Sequence, residues 1–163
     1  MEFFDILTPD GKPAGIRKER SLVHKDGDPH GTARIWIVRQ SAAGEVELLL
    51  QKRAHRKDSF PDCLDASCAG HLSAGQGFME GALRELHEEL GIRAEPSDLH
   101  YIGMYHKVVK TSFYGSPFID DELSAVYIYL KPVDEKSLTL QEEEVSSVQW
   151  MGLTQCMEQV SHS

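Results

Sequence analysis

The feature that most constrains the fold is a stretch near the middle of the chain in which three glutamates recur at helical spacing. Glu85, Glu88 and Glu89 stand at positions i, i+3 and i+4, so on a helix they share one face. A narrow apolar stripe falls on a different face of that helix and consists of Met79, Leu83, Leu86 and Leu90. The pattern predicts a helix from about Gly77 to Leu90 that anchors one side in a core, with Gly91 as its C-terminal stop.

The acidic face of this helix has too few cations to balance its charge. Carboxylates three or four positions apart repel each other by about 0.2–0.5 kcal/mol per pair. The nearby cation within the helix is Arg84, four positions before Glu88. Such a cluster suits a hard divalent cation with oxygen ligands, Mg²⁺ or Mn²⁺. A solvated acidic face is the alternative that the helix alone leaves open.

Residues 70–92 resemble the Nudix box, whose pattern is Gly-x5-Glu-x7-Arg-Glu-U-x-Glu-Glu-x-Gly-U, with U a bulky aliphatic residue. Eight positions match at the required spacing: Gly70, Arg84, Glu85, Leu86, Glu88, Glu89, Gly91 and Ile92. The resemblance implies a single Nudix domain over residues 1–163, with the α/β/α sandwich of that family and a mixed β-sheet, an α/β fold of the α+β kind. It also implies that the three helix glutamates bind metal, that Arg84 orients them, and that Gly70 lets the preceding loop approach the helix.

One position departs from the box, because Gln76 stands where the pattern has its first glutamate. Ser73 and Gln76 keep the spacing of a capping box, in which Gln can replace Glu at the third helical position. We therefore expect the structural role of the side chain to persist. We expect the lost charge to alter the rate modestly and to leave metal binding intact.

Length and composition limit the class of protein. A chain of 163 residues fits one domain with a sizeable core. No run of about 18 apolar residues occurs, and residues 1–5 have neither the basic nor the apolar region of a signal peptide. Three cysteines without metal spacing and a net charge of −9 predict a cytoplasmic protein that does not bind nucleic acid non-specifically. A homodimer is the default expectation for the oligomeric state.

The remaining elements are predicted mostly as short strands separated by turns. Residues 1–20 predict a hairpin, with strands at Phe3–Leu7 and Ala14–Arg17 around an Asp-Gly turn. Further strands are predicted at 34–39, 45–51, 66–69, 99–109, 124–130 and 145–151, with turns at 41–44 and 96–98 and a short helix at 153–160. Residues 52–65 predict a basic loop.

Positive charge outside the helix is densest at residues 52–57, directly after a predicted central strand. Arg53 and Lys57 in this stretch are candidate phosphate ligands, since strand-end loops are common ligand sites and Arg suits phosphate oxygens. Lys107 and Lys110 are a second candidate pair. For both pairs a solvated surface is the alternative interpretation.

Two further groups of residues are candidates by type. His24, His30 and His71 are possible metal ligands in sequence that predicts loops, although a surface or satisfied core histidine is the simpler interpretation. The acidic run from Asp120 to Glu122 predicts a turn directly before the strand at Ser124.

A second, narrower resemblance covers residues 48–71. It is to the isopentenyl-diphosphate isomerase-like branch of the superfamily, in which a basic stretch ahead of an aromatic-Pro pair contacts diphosphate. Arg53 and Lys57 match those basic positions, and Phe60 and Pro61 match the pair. Glu122 resembles a later glutamate of that branch, which makes it a candidate fourth metal ligand or general base.

The same resemblance argues against isomerisation. Aligned from Pro61, the catalytic cysteine of the isomerases falls on Ala69, and Cys68 stands one position away. Without that thiol the acid that protonates the alkene is missing. The isomerases also usually have a degraded box, whereas the three glutamates of this chain are intact.

These observations predict a metal-dependent hydrolase with Mg²⁺ or Mn²⁺ as its cofactor. Its substrate would be a small molecule in which a nucleoside diphosphate is linked to another moiety, and the bond cleaved would be the diphosphate linkage. Three alternatives remain: an isopentenyl-diphosphate isomerase that depends on Cys68, a non-catalytic nucleotide-binding domain, and a hydrolase of an isoprenoid or cofactor diphosphate. No membrane partner is expected.

Overall fold

A mixed β-sheet with one long helix packed on it organises the computed structural model, which describes residues 2–55, 57, 62–113 and 115–161. The strands in chain order are β1 (Phe3–Leu7), β2 (Pro13–Glu19), β3 (Pro29–Gln40), β4 (Val46–Arg53), β5 (Leu64–Asp65), β6 (Cys68–His71), β7 (Leu99–Phe113), β8 (Ser116–Tyr129) and β9 (Val145–Gly152). The helices are α1 (Arg20–Asp26), α2 (Phe78–Leu90) and α3 (Leu153–Ser161).

Strand β3 is at the centre of the larger sheet. It runs parallel to β8 and antiparallel to β4 and β6. Among the described strands the order is β5-β4-β3-β8-β7, with β6 also paired to β3 and β9 to β4. Strands β1 and β2 form a separate two-stranded sheet. The parallel β3–β8 pair makes the sheet mixed, so the predicted fold class is confirmed.

Alternate residues of β3 face opposite sides of the sheet. Ile35 and Ile37 are fully buried in one cluster with Leu86 and Leu90 of α2. The apolar stripe predicted for α2 is thus the side that anchors the helix. The side chains at positions 32, 34 and 36 face the other side of the sheet.

Most predicted elements are confirmed, and the exceptions have physical causes. The N-terminal hairpin and α3 form, and α2 ends at Gly91 in the left-handed conformation, with φ of +74°. Helix α1 is not predicted, because seven residues are too few for helical periodicity to show. The turn predicted at Asp120–Glu122 is wrong: these residues lie inside β8 and pair with β7.

The basic loop predicted for residues 52–65 is shorter than expected. Strand β4 continues to Arg53 and pairs with β9, and β5 occupies Leu64–Asp65. Residues 56 and 58–61 of this loop, including the aromatic-Pro pair, lie outside the described residues.

The Ser73–Gln76 hydrogen bond forms, but ahead of the helix. Gln76 Oε1 accepts from the backbone N–H of Ser73 at 3.2 Å. Helix α2 begins later, at Phe78, with Gly77 as its N-cap and no side-chain cap. The prediction that Gln76 sits at the third helical position is therefore wrong. Gly75, with φ of +83°, explains why the helix cannot begin earlier.

All three cysteines are unpaired, and Cys68 is fully buried in the core. Within the described ranges, none of the helices has the length and apolarity needed to cross a membrane.

Candidate active site

A cavity of about 300 Å³ opens where α2 meets β3, β6 and the start of α1. Its walls carry seven carboxylates, which come from Glu2, Asp65, Glu85, Glu88, Glu89, Glu122 and Glu144. Five cationic side chains line the same space and come from Arg20, Arg34, Arg53, Lys57 and Arg84. Because carboxylates outnumber cations, an anionic substrate would need additional positive charge to enter.

Helix α2 projects its three predicted glutamates into this cavity. Glu88 is exposed, whereas Glu85 and Glu89 are buried. Glu89 Oε1 accepts from the side-chain amide of Gln51 at 3.1 Å and lies 3.3 Å from the Sγ of Cys68. The absence of a side chain at Gly70 leaves room for Glu85, since a Cβ there would lie 2.3 Å from Glu85 Cδ.

The two buried glutamates are poorly neutralised by the protein. Burial, with Glu89 nearby, raises the pKa of Glu85 to about 8, although Arg84 opposes the shift. Burial also raises the pKa of Glu89, despite its hydrogen bonds from Gln51 and Cys68. Raised carboxylate pKa values of this kind are what a cation would reverse by stabilising the charged form. The residues present therefore fit a hard divalent cation at this end of the cavity.

Arg84 braces Glu85 against the preceding loop. Its Nη2 donates to Glu85 Oε1 and to the carbonyl of His71, both at 2.9 Å, and its Nη1 donates to Ser73 Oγ at 2.9 Å. The guanidinium thus fixes the glutamate relative to β6. The resemblance implies that Arg84 orients the glutamates, and that role stays a prediction.

The two predicted phosphate ligands line the cavity, and each contacts a carboxylate. Arg53 Nη1 lies 3.3 Å from Asp65 Oδ2, and Lys57 forms an ion pair with Glu144. Asp65 also binds Arg34, whose Nη1 lies 2.7 Å from Asp65 Oδ1. Burial alone would raise the pKa of Asp65, but Arg34 and Arg53 hold that pKa below its usual value.

A second group of potential ligands lies beside the carboxylates. His24 of α1, His30 of β3, His71 of β6 and Asp120 of β8 offer ligand atoms that all lie within 4.8 Å of one another. Asp120 Oδ1 is 3.1 Å from His30 Nε2 and 3.4 Å from His24 Nε2. We call this group the histidine cluster. Phe4 stacks on His30 and His71 and closes it from solvent, with ring centroids 5.3 Å and 4.9 Å away.

The ligand atoms of the histidine cluster are buried, and no well-formed hydrogen bond satisfies them within the described residues. His30 Nδ1 is 3.0 Å from the carbonyl of Asp28, which leaves its Nε2 to face the cluster. Burial lowers the pKa of His71, which favours the neutral ring that a metal needs. For His30, burial is outweighed by Asp120 and the Asp28 carbonyl, so its pKa is raised. The donor set of three imidazoles and a carboxylate fits Zn²⁺ or Mn²⁺.

Glu122 connects the two groups. It is buried, lines the cavity, and has its Oε1 3.6 Å from His71 Nε2. Asp120 lies two positions before it on β8 and therefore on the same face of the strand. The sequence singled out Glu122 but gave Asp120 no ligand role. The available signal was the spacing of Asp120 and Glu122, because two carboxylates two positions apart share one face of a strand.

The fold places some of the predicted residues outside the cavity and brings some residues that were not predicted into its walls. Lys107 and Lys110 do not line the cavity, so the structure does not bring them to the predicted phosphate site. Cys68 faces the core rather than the cavity, and burial raises the pKa of its thiol well above the usual value. Arg20 and Arg34 line the cavity without having been singled out, because Arg20 stands in a stretch of mixed charge and Arg34 stands alone among uncharged residues.

Comparisons with known proteins identify a family and a fold. The NUDIX domain model matches residues 28–162. Nudix hydrolase 3 of Arabidopsis thaliana is 39% identical over 152 residues, which cover 92% of this chain and 19% of the relative. An uncharacterised Nudix hydrolase of Clostridium acetobutylicum is 39% identical over 144 residues, which cover 88% of this chain and 66% of the relative. The chain thus spans less than two thirds of the length of either relative.

Solved structures show the same fold at low sequence identity. The crystal structure of DR0079 from Deinococcus radiodurans has a TM-score of 0.70 and 15% identity, and covers 99% of this chain and 90% of that one. The NUDIX domain of Shewanella oneidensis NrtR, solved with ADP ribose, has a TM-score of 0.58 and 14% identity, and covers 80% and 77%.

Proposed function

The chain belongs to the Nudix domain family, and we propose that it is a pyrophosphohydrolase that cleaves the diphosphate linkage of a nucleoside diphosphate joined to another moiety. We propose a single Nudix domain over the whole chain, with the box at residues 70–92. The observation that carries the proposal is the convergence of Glu85, Glu88 and Glu89 with five cationic side chains in one cavity.

The carboxylates and the cationic side chains of the cavity have different roles. We assign Glu85, Glu88 and Glu89 to divalent cations, Mg²⁺ or Mn²⁺, which when bound neutralise phosphate oxygens and acidify water. Arg84 holds Glu85 in position through its hydrogen bonds to the loop. Arg53 and Lys57 contact the phosphate that the cations do not, exchanging their present carboxylate partners for phosphate oxygens.

Glu122 is the proposed general base. It is a buried carboxylate in the cavity wall, close to His71, and has no arginine or lysine ion pair among the described residues. A carboxylate in such surroundings can accept a proton from an attacking water. Glu122→Gln separates this role from metal binding, because it should lower kcat while leaving Mn²⁺ affinity at the box glutamates within about threefold.

The histidine cluster is proposed to hold a second, nitrogen-preferring divalent cation. Its support is the set of buried ligand atoms without hydrogen bonds. Metal analysis of protein dialysed against Zn²⁺ or Mn²⁺ tests it. The His24→Ala variant should bind about one equivalent of metal less than wild type, whereas the variant His100→Ala, at an exposed position, should bind as much as wild type. Equal metal content in all three proteins would leave the cluster as a metal-free His30–Asp120 ion pair.

The activity is tested by phosphate release after phosphatase coupling. The panel contains nucleoside diphosphate derivatives, ADP-ribose among them, and isopentenyl diphosphate, each with Mg²⁺, Mn²⁺ or EDTA. Turnover that requires metal and falls by more than about a hundredfold in Glu89→Gln supports the proposal. Glu80→Gln on the same helix is the matched control, because Glu80 is exposed and outside the cavity.

The alternatives are separated by the same panel. Isomerisation releases no phosphate, so the isomerase is tested by analysing the isopentenyl diphosphate incubation for its isomer. The inward-facing Cys68 disfavours that activity. Metal-dependent hydrolysis confined to isoprenoid or cofactor diphosphates would support the third alternative. Nucleotide binding without any turnover would support a binding domain.

The remaining parts of the proposal concern the setting of the protein. We propose a small-molecule diphosphate as the only partner besides a second copy of the chain, and a cytoplasmic location. The net charge of −9 and the three unpaired cysteines are consistent with these assignments. Light scattering measures the oligomeric state directly.

A further inference from the structure

A second depression adjoins the proposed active site on the same face of the sheet. It has a volume of about 510 Å³ and lies across β3, β8 and the edge strand β7. We call it the side groove, and its walls are Arg34, Trp36, Ile102, Gly103, Met104, Tyr105, Lys107 and Val126.

The side groove is continuous with the active-site cavity through Arg34, which lines both. Strand β8 gives the direction: Glu122 lies in the cavity, and Val126 lies in the groove on the same face of the strand. Four residues of strand span about 13 Å. A nucleoside diphosphate could therefore place its phosphates at one end and its base at the other.

The chemistry of the side groove suits a flat, acceptor-rich ring. Trp36 and Tyr105 offer aromatic faces, and Met104 adds a polarisable thioether. Tyr105 is 60% exposed and Ile102 is 57% exposed, so two large apolar side chains stand in solvent beside a charged cavity. The cationic walls, Arg34 and Lys107, donate hydrogen bonds but accept none. An isoprenoid chain offers no acceptor to Lys107 or to the N–H groups of Arg34 that Asp65 does not bind, whereas a nucleobase supplies carbonyl and ring-nitrogen acceptors.

The backbone of β7 is also irregular at this point. Ile102 has no register partner on β8, because the pairing shifts between Tyr101 and Gly103. A β-bulge of this kind leaves main-chain groups outside the ladder, where they can bind a ligand. Gly103 has φ of +150° and open space where a Cβ would be, so no side chain obstructs the groove there.

Arg34 is held where both spaces meet. Its guanidinium is anchored by Asp65 at 2.7 Å and is about one-fifth exposed, so its position is fixed before a ligand arrives. A preorganised donor costs less to bring to a substrate than a free surface arginine.

We propose that the side groove binds the base of the nucleoside diphosphate substrate, with Tyr105 and Trp36 as the stacking faces and Arg34 as the donor between base and phosphates. This inference rests on the proposed function for the identity of the substrate. It makes Tyr105 a specificity-determining residue remote from the box.

Fluorescence of Trp36 tests the proposal without requiring turnover. The protein has two tryptophans, so Trp150→Phe leaves Trp36 as the reporter. The probes are ADP, GDP, CDP and UDP with Mg²⁺, compared with ribose 5-phosphate and isopentenyl diphosphate. We expect quenching by at least one nucleotide and none by the base-free phosphates.

Two tyrosines on β7 supply the matched variants. Tyr105→Ala should raise the nucleotide Kd about tenfold, since stacking on an aromatic face is lost. Tyr101→Ala should change it less than twofold, because Tyr101 is 56% exposed but lies outside the groove. Circular dichroism checks that both variants are folded.

Three results would overturn the proposal: equal quenching by nucleotides and ribose 5-phosphate, equal effects of the two tyrosine variants, or quenching by isopentenyl diphosphate alone. Failure here and failure of the proposed function are distinguishable. Hydrolysis with a KM insensitive to Tyr105→Ala would refute the groove and keep the hydrolase. Base-dependent quenching without hydrolysis of any substrate would support the groove and refute the hydrolase.

Discussion

Gly70 of β6 and Glu85 of α2 are in such close contact that a methyl group on Gly70 would lie 2.3 Å from the carboxyl carbon of Glu85. Real Cβ atoms do not approach other heavy atoms to this distance, so the glutamate occupies space that a side chain at position 70 would fill. The buried carboxylate is held between this glycine and Arg84. The first glycine of the box and its first helix glutamate are therefore a single structural unit.

Gly70→Ala is expected to damage activity and stability together. The added methyl must displace Glu85 or β6, and overpacking of this kind costs about 1–3 kcal/mol. We expect the Mn²⁺ affinity to fall at least tenfold, measured by calorimetry beside thermal unfolding. Gly152→Ala in β9 is the control, because its nearest neighbour would be 3.9 Å from the new Cβ. Unchanged metal affinity in Gly70→Ala would show that Glu85 is not constrained by the glycine.

Glu85→Gln should stabilise the metal-free protein while reducing turnover. The folded-state pKa of Glu85 is raised to about 8, so the folded protein retains a proton that the unfolded chain loses near pH 4.5. Stability from this group therefore declines as pH rises from about 4.5 to 8. Denaturant unfolding in EDTA should show the gain of Glu85→Gln growing from pH 5 to pH 8. A variant less stable than wild type at pH 8 would contradict the raised pKa.

Gln76→Glu is expected to change kcat by less than about tenfold. Gln76 bonds the backbone of Ser73 in a turn before α2 and does not line the cavity. A carboxylate can accept the same hydrogen bond, so the fold should be unchanged. Steady-state kinetics on the best substrate of the panel measures the effect. A gain above about a hundredfold, near 2.7 kcal/mol, would mean that the position acts on the reaction directly.

Asp65→Asn should weaken the protein near neutral pH and lose that effect in acid. Asp65 is ionised and paired with Arg34 and Arg53, which depress its pKa, so its contribution is present above about pH 3.9 and lost as pH falls through the lower folded-state value. Loss of charged hydrogen bonds predicts about 1.5–3 kcal/mol at pH 7. Urea unfolding of wild type and variant at pH 7 and pH 3 measures the difference. A constant difference at both values would exclude the ion pairs as the cause.

Much of helix α2 could be predicted from sequence, because its signal is local. The three glutamates and the apolar stripe lie within one helix that ends at Gly91, and their spacing alone determines which face of the helix each group occupies. The histidine cluster could not be assembled in this way. His24, His30 and His71 come from three elements, and the parallel pairing of β3 with β8 brings Asp120 to them. Nothing local in the sequence encodes that pairing.

The β7–β8 hairpin shows a different reason for failure. Aspartate is uncommon in strands, so the run at Asp120–Glu122 favoured a turn. The fold tolerates it because Asp120 lies against two histidines and Asp121 is 2.7 Å from His106. The intrinsic preference of the residues is overridden by partners that are distant in sequence.

The match to the family model begins at residue 28, yet Arg20 of α1 lines the cavity, His24 of α1 belongs to the histidine cluster, and Phe4 of β1 covers that cluster. A fragment that began at residue 28 would keep every residue of the box but would lose Arg20 from the cavity wall and His24 from the histidine cluster. For anyone transplanting or recombining this domain, the portable unit is therefore longer than the recognisable motif. Strand β1 is part of that unit, because its Phe4 covers the histidine cluster.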